Sequence, residues 1–423
     1  MKIAIHTLGC KINQFDADVI RQDLSSRGNT IVPFDAEADV YIVNTCSVTA
    51  KSDYQCRQAI RSATRRGKGA KVVVTGCYAE TRPDEIRNIS GVDRVFGNRD
   101  KAKIVDHILS AAPATETPPG EAGIASESVR TRTRGLLKIQ EGCDNRCSYC
   151  IVPLARGGSR SAHPRGVEEK FGSMVRRGCP EIVLTGIHIG AYGADLAEKT
   201  DLTSLIATLV SKKEDTRIRL SSIEPREITD EMVRMLGRGL CRHLHIPLQS
   251  GDDGILASMR RNYSSAFYLE LIERIADRVP GVALGADVMV GFPGEGEKEF
   301  LNTLRLVERS PLTHLHVFSY SPRPGTPAAG MKKQVPEVVK KERSEALRDL
   351  GKKKNLDFRK KNIGCAHAVV VEDKVSEASG LITGLTDNYI RVQIYGSKKE
   401  NVGKRIQVSI SAVDEKNNFA EIM

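Results

Sequence analysis

The sequence lacks any long apolar run. Nowhere in the 423 residues is there a stretch approaching the ~20 apolar residues that a membrane helix needs, so we expect no membrane partner. The apolar run within the first residues, MKIAIHTLGC, is too short and too often interrupted by polar residues for a secretory signal. We therefore expect a cytoplasmic protein with reduced thiols, and its ten cysteines then suggest metal binding or catalysis more than disulfides.

The sequence is also poorer in acidic than in basic charge. The formal net charge is +11, and the basic residues cluster in three segments. Residues 51–71 carry seven Lys and Arg against one acid, 130–165 carry eight against two, and 331–361 carry twelve against five. A solvated surface is the ordinary explanation of a single run, but three clusters favour a polyanionic partner such as nucleic acid.

The densest cysteine motif lacks a fourth ligand. Cys143, Cys147 and Cys150 form a C-x3-C-x2-C loop, and no further ligand follows nearby. Such a loop can wrap one face of a cubic iron–sulfur cluster and leave the fourth iron open to a small molecule. A zinc site is the alternative, and it requires a distant fourth Cys or His.

Residues 1–110 alternate β-rich runs with helical stretches, which predicts a parallel sheet. Predicted strands are KIAIHTLG, ADVYIVNT, KVVVTG and VDRVFG. Cys10, Cys46 and Cys77 each follow one of the first three strands. Because parallel strands end at one edge, the three cysteines can meet as a metal site; the alternative is three buried apolar cysteines. The cysteines without paired spacing are interpreted as structural or incidental: Cys56, Cys179, Cys241 and Cys365.

Four further segments follow. Residues 111–133 have the composition of a linker, and 134–335 contain six βα units, which predict a partial (β/α)6 barrel with its chemistry at the strand carboxyl ends. Residues 336–362 predict a basic amphipathic helix that begins at Pro336, and 363–423 predict a small five-stranded barrel of OB-like type. The barrel strands of 134–335 are predicted at LLKIQ, EIVLT, RIRLSS, HLHIP, VALGADVMVG and HLHVFSY.

The chain resembles the radical S-adenosylmethionine (SAM) superfamily at C-x3-C-x2-C, where Tyr149 precedes the last cysteine. Over nearly its whole length it resembles the methylthiotransferases, through LGCKINQ, VNTCSVTAKSD, TGCYAE, GCDNRCSYCIVPLARGGSRS, LTGIHIGAYG, HIPLQSGDD, ADVMVGFPGE and HVFSYSPRPGTPAA, followed by a TRAM-like barrel. VTAKSD and ARGGSRS resemble the branch that modifies threonylcarbamoyladenosine beside the tRNA anticodon. One departure is Gly158, where that pattern has Arg; the change removes one possible phosphate contact.

This resemblance implies two [4Fe–4S] clusters. Cys143, Cys147 and Cys150 would hold the cluster that binds and cleaves SAM, and the resulting radical would take hydrogen from carbon 2 of the adenine. Cys10, Cys46 and Cys77 would hold an auxiliary cluster that carries the transferred sulfur, which a second SAM methylates. The resemblance also implies tRNA as partner, an electron donor such as flavodoxin or ferredoxin, and a monomeric enzyme.

Further site residues are assigned by position within these motifs. SAM contacts should come from strand ends, and the candidates are Tyr149, Gly186, Glu224, Gln249, Gly291 and Glu295. Turn chemistry or a buried hydrogen bond is the alternative for each, and the glycines favour backbone geometry. Candidates for substrate or RNA contact are Arg156, Arg160, Phe318, Tyr320 and Arg323. For the two aromatic residues, stacking on a base competes with core packing.

Two other functions fit part of this pattern. The first is the same chemistry directed at isopentenyladenosine in tRNA or at a ribosomal-protein aspartate, and only the residues near Cys46 and Arg160 separate these substrates. A non-enzymatic iron–sulfur or zinc RNA-binding protein also fits the cysteines, the charge and the small barrel. That alternative leaves unexplained why both cysteine sets stop at three.

Overall fold

The computed structural model of the chain describes residues 1–67, 69–110 and 133–423. Along the chain it forms a five-stranded parallel sheet, a partial barrel and a closed five-stranded barrel, so the predicted α/β fold class is confirmed. Of the predicted linker, residues 111–132 lie outside the described residues. None of the helices in the described part combines the length and the apolar character needed to cross a membrane.

The first unit is a parallel sheet in the order β2-β1-β3-β4-β5. All four predicted strands are present, whereas β2 was not predicted because three residues are too few to show a strand pattern. The elements are β1 Lys2–Thr7, α1 Lys11–Ser26, β2 Thr30–Val32, β3 Val40–Thr45, α2 Ala50–Arg66, β4 Lys71–Gly76, α3 Cys77–Thr81, α4 Pro83–Arg87, β5 Arg94–Val95 and α5 Lys103–Leu109.

Apolar side chains cover both faces of this sheet. On β3, Tyr41 and Val43 pack into one core, while Val40 and Ile42 pack into another. Strands that are buried on both faces read as continuous apolar runs, which is why β3 and β4 were easy to predict. The strand order reverses between β1 and β3, and sheets of this kind bind ligands at the carboxyl ends of the strands at that point.

Six parallel strands form the partial barrel, as predicted. Strands β10, β9 and β6 form one sheet and β11, β12 and β13 another, and a bridge between Ile218 and Leu240 joins the two. The elements are β6 Gly135–Lys138, β7 Gln140–Glu141, α6 Val152–Arg156, β8 Arg160–Ser161, α7 Pro164–Arg176, β9 Glu181–Thr185, α8 Leu202–Ser211, β10 Arg217–Leu220, α9 Asp230–Met235, β11 His243–His245, α10 Asp253–Ser258, α11 Ser265–Arg278, β12 Ala283–Val290, α12 Glu297–Arg309 and β13 His314–Ser319.

Barrel side chains alternate between an outer core and an inner face. On β9, Ile182 and Leu184 belong to the large core shared with the surrounding helices. Val183, which lies between them, points the other way because strand side chains alternate. There it packs with Leu136 of β6 against Phe15 of α1. The first helix of the first unit therefore covers part of the barrel's inner face.

A long helix, α13 (Glu337–Lys360), leads to the last unit and begins directly after Pro336, as predicted. Its buried face is less apolar than predicted: Leu347 is fully buried, but Ala346 is exposed and the cation Arg343 is buried. The five strands that follow close into a barrel in the order β14-β15-β16-β18-β17. They are β14 Ala366–Val375, β15 Ile382–Thr386, β16 Arg391–Tyr395, β17 Arg405–Val413 and β18 Asn418–Ile422.

Two buried arginines of β10 attach the closed barrel to the partial barrel. Arg217 donates to the backbone oxygens of Ala368 and Leu385, each at 2.7 Å. Arg219 donates to the backbone oxygen of Thr386 at 3.0 Å. Both guanidinium groups also pair with Glu181, which is fully buried. A charge network that is satisfied in this way holds the two barrels in one arrangement.

Candidate functional site

Two glycine turns bring the three N-terminal cysteines together. Cys10 precedes α1, Cys46 follows β3, and Cys77 opens α3 directly after β4. Gly9 has φ +101°, and a β-carbon on it would lie 2.7 Å from the Cβ of Cys46. Gly76 has φ +102°, and a β-carbon on it would lie 2.3 Å from a backbone oxygen at the end of β3. Only glycine permits these approaches, so the Gly-Cys pairs place both outer cysteines against the end of β3.

The thiols of this set differ in exposure. Cys10 is exposed, whereas Cys46 and Cys77 are buried. Burial, with a smaller effect from the neighbouring cysteines, raises the pKa of the Cys46 thiol to about 11. Cys56 supports Cys46 from behind: its Sγ accepts from the Cys46 backbone N at 3.3 Å and lies 3.4 Å from the Cys46 carbonyl oxygen. A bound metal would stabilise thiolates that burial alone disfavours.

The second cysteine set lies in one loop at the carboxyl end of the first barrel strand. A short antiparallel pair, β7 with β8, closes the base of this loop. Within it, Cys143 donates its backbone N–H to Gly157, and Cys150 donates to Cys147, each at 3.1 Å. Gly142 has φ +71°, and a β-carbon on it would lie 1.9 Å from the Gly158 oxygen. Glycine is therefore required where the two ends of the loop meet.

Two cationic side chains lie beside these thiols. The Nδ1 of His188 lies 3.7 Å from the Sγ of Cys143, and its other ring nitrogen contacts Glu227. Although burial disfavours its charge, these two hydrogen bonds raise the pKa of His188 to about 10. Arg261 places Nη1 3.4 Å from the Sγ of Cys147. Two positive charges therefore lie beside the sulfur atoms of this loop.

Among the predicted SAM contacts, Gln249 has a free binding atom. Its side-chain oxygen is buried without a hydrogen-bond partner among the described residues, and its backbone has φ +61°. Such an acceptor is suited to a ligand N–H or O–H. Glu224 pairs with Arg261, beside the cysteine loop. Tyr149 packs against the cluster that contains Met289.

The other predicted SAM contacts have internal partners. A β-carbon on Gly186 would lie 3.0 Å from the Gln140 oxygens, and one on Gly291 would lie 2.3 Å from the Lys340 side chain. The Oε1 of Glu295 accepts from the Gly291 N–H and from Arg343, each at 2.8 Å. The two glycines thus lie where the backbone passes close to neighbouring groups, as in the alternative based on backbone geometry. Glu295 forms buried hydrogen bonds that connect its turn to α13.

Several predicted RNA contacts are buried. Arg156 pairs with Glu141 at 2.6 Å, and Arg323 pairs with Asp53 at 2.5 Å. Tyr320 is 2% exposed and packs in the core. The partners of these three side chains lie inside the protein, which for Tyr320 agrees with the core-packing alternative; their contact with substrate or RNA stays a prediction. Arg160 is exposed and Phe318 is partly buried.

Residues between the two cysteine sets hold them in a fixed arrangement. Asn98 donates to the Ala155 backbone oxygen at 2.6 Å, and its Nδ2 lies 3.7 Å from the Sγ of Cys77. The charge of Arg156 interacts with the thiols of Cys77 and Cys10. Both side chains connect the loop after the second cysteine set to the first set. The two candidate clusters would therefore lie on either side of one domain interface.

The donor sets fit cubic clusters better than single ions. All ten cysteines are free thiols. In the described part of the chain, the one group with three ligand atoms within 4.8 Å of one another is His245, Asp287 and His316. Neither cysteine set is that compact. A single zinc ion needs its ligand atoms close to one another, whereas a cubic cluster holds its cysteine sulfur atoms further apart because each binds a different iron.

Several side chains that adjoin the cysteines were not predicted as site residues. Asn13 lies in the motif LGCKINQ, donates to the Leu8 and Thr45 backbone oxygens, each at 2.8 Å, and contacts Arg156. Its place in a cysteine motif could have identified it. His188 lies 45 positions beyond Cys143 and Arg261 lies 114 positions beyond Cys147, the cysteines they contact, so spacing alone does not connect them to the loop.

Two family descriptions match the chain. Residues 2–97 match "Uncharacterized protein family UPF0004", and residues 137–307 match the radical SAM superfamily. The first covers the sheet with Cys10, Cys46 and Cys77. The second covers most of the partial barrel, including the cysteine loop.

Solved structures support the fold. The radical SAM methyltransferase TsrM from Kitasatospora setae aligns with a TM-score of 0.56 at 16% identity, covering 78% of this chain and 77% of that chain. The cobalamin-dependent radical SAM enzyme OxsB aligns with a TM-score of 0.51 at 13% identity, covering 82% of this chain and 55% of that chain. At these identities the likeness concerns the fold alone.

Curated relatives align over nearly the full length. The "Threonylcarbamoyladenosine tRNA methylthiotransferase MtaB" of Bacillus subtilis is 40% identical over 96% of this chain and 93% of its own. The protein of that name from Thermotoga maritima is 36% identical over 98% and 95%. The "Ribosomal protein uS12 methylthiotransferase RimO" of Anaeromyxobacter is 33% identical over 90% and 84%. The chain is thus an enzyme of the radical SAM methylthiotransferase family, and it belongs to the threonylcarbamoyladenosine tRNA methylthiotransferase branch.

Proposed function

We propose that this enzyme transfers a methylthio group to carbon 2 of N6-threonylcarbamoyladenosine next to the tRNA anticodon. One observation carries the proposal: two three-cysteine sets stand at the carboxyl ends of parallel strands on two domains, joined by Asn98 and Arg156. The identity to relatives named for this reaction supports the substrate. Full-length coverage of those relatives supports the same domain composition.

Each cysteine set is proposed to hold one [4Fe–4S] cluster, and SAM is the proposed second cofactor. When bound, these groups supply reductive cleavage of SAM and the sulfur that is methylated and transferred. The chain's own residues position and shield them. Gln249 offers its buried, unpaired oxygen to SAM, and Tyr149 and Met289 provide an apolar wall that excludes water.

Basic residues around a cavity of about 560 Å³ support tRNA as the partner. This cavity lies between β13, α13 and the closed barrel. The exposed cations that line it are Arg348, Lys352, Arg391 and Lys416. Cations at a groove bind the phosphate backbone without reading bases, and the strength of this contact falls as salt rises.

An electron donor such as flavodoxin or ferredoxin, a monomeric state and a cytoplasmic location complete the proposal. Reductive cleavage of SAM requires one electron, so a small redox protein must dock near the cysteine loop. Both cysteine sets lie near the interface between two domains of the same chain. One copy therefore carries all six candidate ligands, which supports a monomeric enzyme.

The experiment that tests the proposed function is nucleoside mass spectrometry of tRNA from cells with and without this gene. We expect the deletion to remove 2-methylthio-threonylcarbamoyladenosine alone and a plasmid copy to restore it. Loss of the isopentenyl derivative instead would keep the chemistry and change the substrate. If no tRNA nucleoside changes, the tRNA assignment is wrong, and the ribosomal protein becomes the substrate to examine.

A further inference from the structure

Three adjacent strands place two histidines and a carboxylate together on the inner face of the partial barrel. His245 lies on β11, Asp287 on β12 and His316 on β13. Their strand neighbours Leu244 and Val288 pack into the outer core. Because side chains alternate along a strand, the two histidines and the aspartate point to the opposite, inner side. Asp287 and His316 are also direct partners in the register of β12 with β13.

A glycine on β12 makes room for the ring of His245. Gly285 is the register partner of His245. A β-carbon on Gly285 would lie 2.7 Å from the Nδ1 of His245, which is closer than van der Waals contact permits. The imidazole ring therefore lies directly over the glycine. Its other nitrogen, Nε2, is 3.1 Å from the Oδ1 of Asp287, two residues further along β12.

Both rings approach the same carboxylate oxygen. The Oδ1 of Asp287 is 3.1 Å from the Nε2 of His245 and 3.4 Å from the Nδ1 of His316. One ligand atom from each of the three residues can be chosen so that all lie within 4.8 Å of one another. Nitrogen and oxygen ligands bound to one tetrahedral zinc ion at about 2.0–2.2 Å are separated by about 3.4 Å. The two measured separations are close to this value, and the longer one exceeds the usual length of a hydrogen bond.

The three side chains are enclosed at one end and open at the other. The side chain of His245 is 13% exposed, that of Asp287 27% and that of His316 72%. His316 also lines the 560 Å³ cavity between β13, α13 and the closed barrel. Structural zinc sites are closed by four protein ligands, whereas sites that act on a ligand have three and keep one position open. An ion held by these residues would have its open position on the side of the cavity.

The ligand types select the class of metal ion. Calcium and magnesium prefer oxygen ligands, whereas imidazole suits zinc, iron, copper and nickel. Two histidines and one carboxylate with an open position are typical of zinc enzymes and of non-haem Fe²⁺ enzymes. Coordination requires neutral imidazole rings and an ionised carboxylate, so metal binding competes with protons. The competing state is metal-free, with protonated rings paired to Asp287.

We propose that His245, Asp287 and His316 bind a divalent transition-metal ion of the zinc class, with an open coordination position that faces the cavity. This site uses none of the six cysteines assigned to the clusters, and the inference does not depend on which substrate the enzyme modifies. The open position is available to water or to an anionic oxygen of a ligand that enters the cavity.

The test measures zinc uptake by the full-length enzyme with reconstituted clusters. The protein is dialysed anaerobically against buffered zinc, and elemental analysis determines zinc and iron in the same sample. We expect about one zinc ion per chain, and the X-ray absorption spectrum at the zinc edge should show nitrogen and oxygen ligands without sulfur. H316Q and D287N should each weaken zinc binding by at least about tenfold.

H314Q is the matched control. His314 lies on the same strand and the same face as His316, but its Nδ1 is 2.7 Å from the Oγ1 of Thr313 and it is not part of the three-residue set. The H314Q variant should bind zinc as the wild type does. Because the His316 side chain is largely exposed, we expect H316Q to fold, and circular dichroism checks this.

The opposite results would overturn the inference. If the wild-type enzyme takes up no zinc while its iron content is unchanged, the set is only an aspartate paired with two histidines. If the zinc edge shows sulfur ligands, the ion occupies one of the cysteine sets instead. If H316Q binds zinc as tightly as the wild type, His316 is not a ligand. The wild-type measurements decide the question even if a variant does not fold.

Discussion

Arg323, in the loop after the last barrel strand, forms a buried ion pair with Asp53 on α2 of the first unit. The Nη1 to Oδ2 distance is 2.5 Å, and the side chains are 5% and 3% exposed. Arg323 also donates to the Ser47 backbone oxygen at 3.4 Å, next to Cys46. The loop SPRPGT therefore fixes the orientation of one cysteine domain relative to the other.

Replacing Arg323 with Met should destabilise the protein by up to about 3–5 kcal/mol, because it leaves the buried carboxylate of Asp53 with Arg82, at 3.7 Å, as its remaining cationic partner. Urea unfolding followed by circular dichroism measures this change. R87A is the matched control, since Arg87 pairs with Asp84 at 2.8 Å on the surface, with side chains 60% and 86% exposed. It should cost less than about 1 kcal/mol. Equal losses in both variants would contradict the assigned role of the buried pair.

Replacing Cys46 with Ala should abolish formation of methylthio product while reductive cleavage of SAM continues. Cys46 is the buried centre of the auxiliary set and is absent from the loop that would bind SAM. Chromatography of 5′-deoxyadenosine and mass spectrometry of the RNA measure the two activities. Cys365→Ala is the control, because Cys365 is exposed in the segment leading to the closed barrel. Full product formation by the Cys46 variant would disprove the sulfur-donor role of this set.

Replacing Gly142 with Ala should disrupt the cysteine loop and lower the iron content. A β-carbon there would lie 1.9 Å from the Gly158 oxygen, so the two ends of the loop must separate. Gly178→Ala is a matched control: its φ is +69°, close to the +71° of Gly142, but nothing lies within 4 Å of its β-carbon position. Both changes should cost about 1–2 kcal/mol from the left-handed backbone. Iron analysis should show a loss in the Gly142 variant alone; equal iron in both would contradict this account.

His314 should make the folded protein less stable in mild acid. Burial, assisted by the charges of His316, His245 and Arg359, lowers the pKa of His314 to about 4. The unfolded chain takes up a proton near pH 6.5, while the folded chain does not until about pH 4, so stability falls as pH decreases between these values. The loss is at most about 3 kcal/mol.

Urea unfolding of cluster-free protein at pH 7.0 and 4.5 measures this dependence. H314Q should lose less stability over that interval than the wild type. H163Q serves as control because His163 is a surface side chain, 60% exposed, 3.9 Å from Glu198. It should retain the wild-type dependence. An unchanged dependence in H314Q would mean that the folded protein does protonate His314 in this range.

Secondary structure and both cysteine sets were readable from the sequence because their signals are local. The apolar runs of β3 and β4 and the C-x3-C-x2-C loop are each contained within a short stretch of sequence. The strand β2 and the pair β7–β8 were missed because two or three residues show no period. Local patterns therefore predicted the strands after which both cysteine sets lie.

The roles of the buried arginines could not be read in the same way. Arg156 meets Asn13 across 143 positions and Arg323 meets Asp53 across 270. A single sequence carries no sign of such pairs, so both arginines were interpreted as candidates for substrate or RNA contact.

The two arginines of β10 that attach the closed barrel to the partial barrel also limit how far the closed barrel can move. Moving that barrel would break the hydrogen bonds from Arg217 and Arg219 to its backbone oxygens and leave these buried guanidinium donors without acceptors. The closed barrel is therefore held in a fixed position relative to the partial barrel. If an RNA stem binds against this barrel, the distance from the barrel to the cysteines is constant. The nucleotide that reaches the cysteines would then depend on its position along the stem as well as on its chemistry.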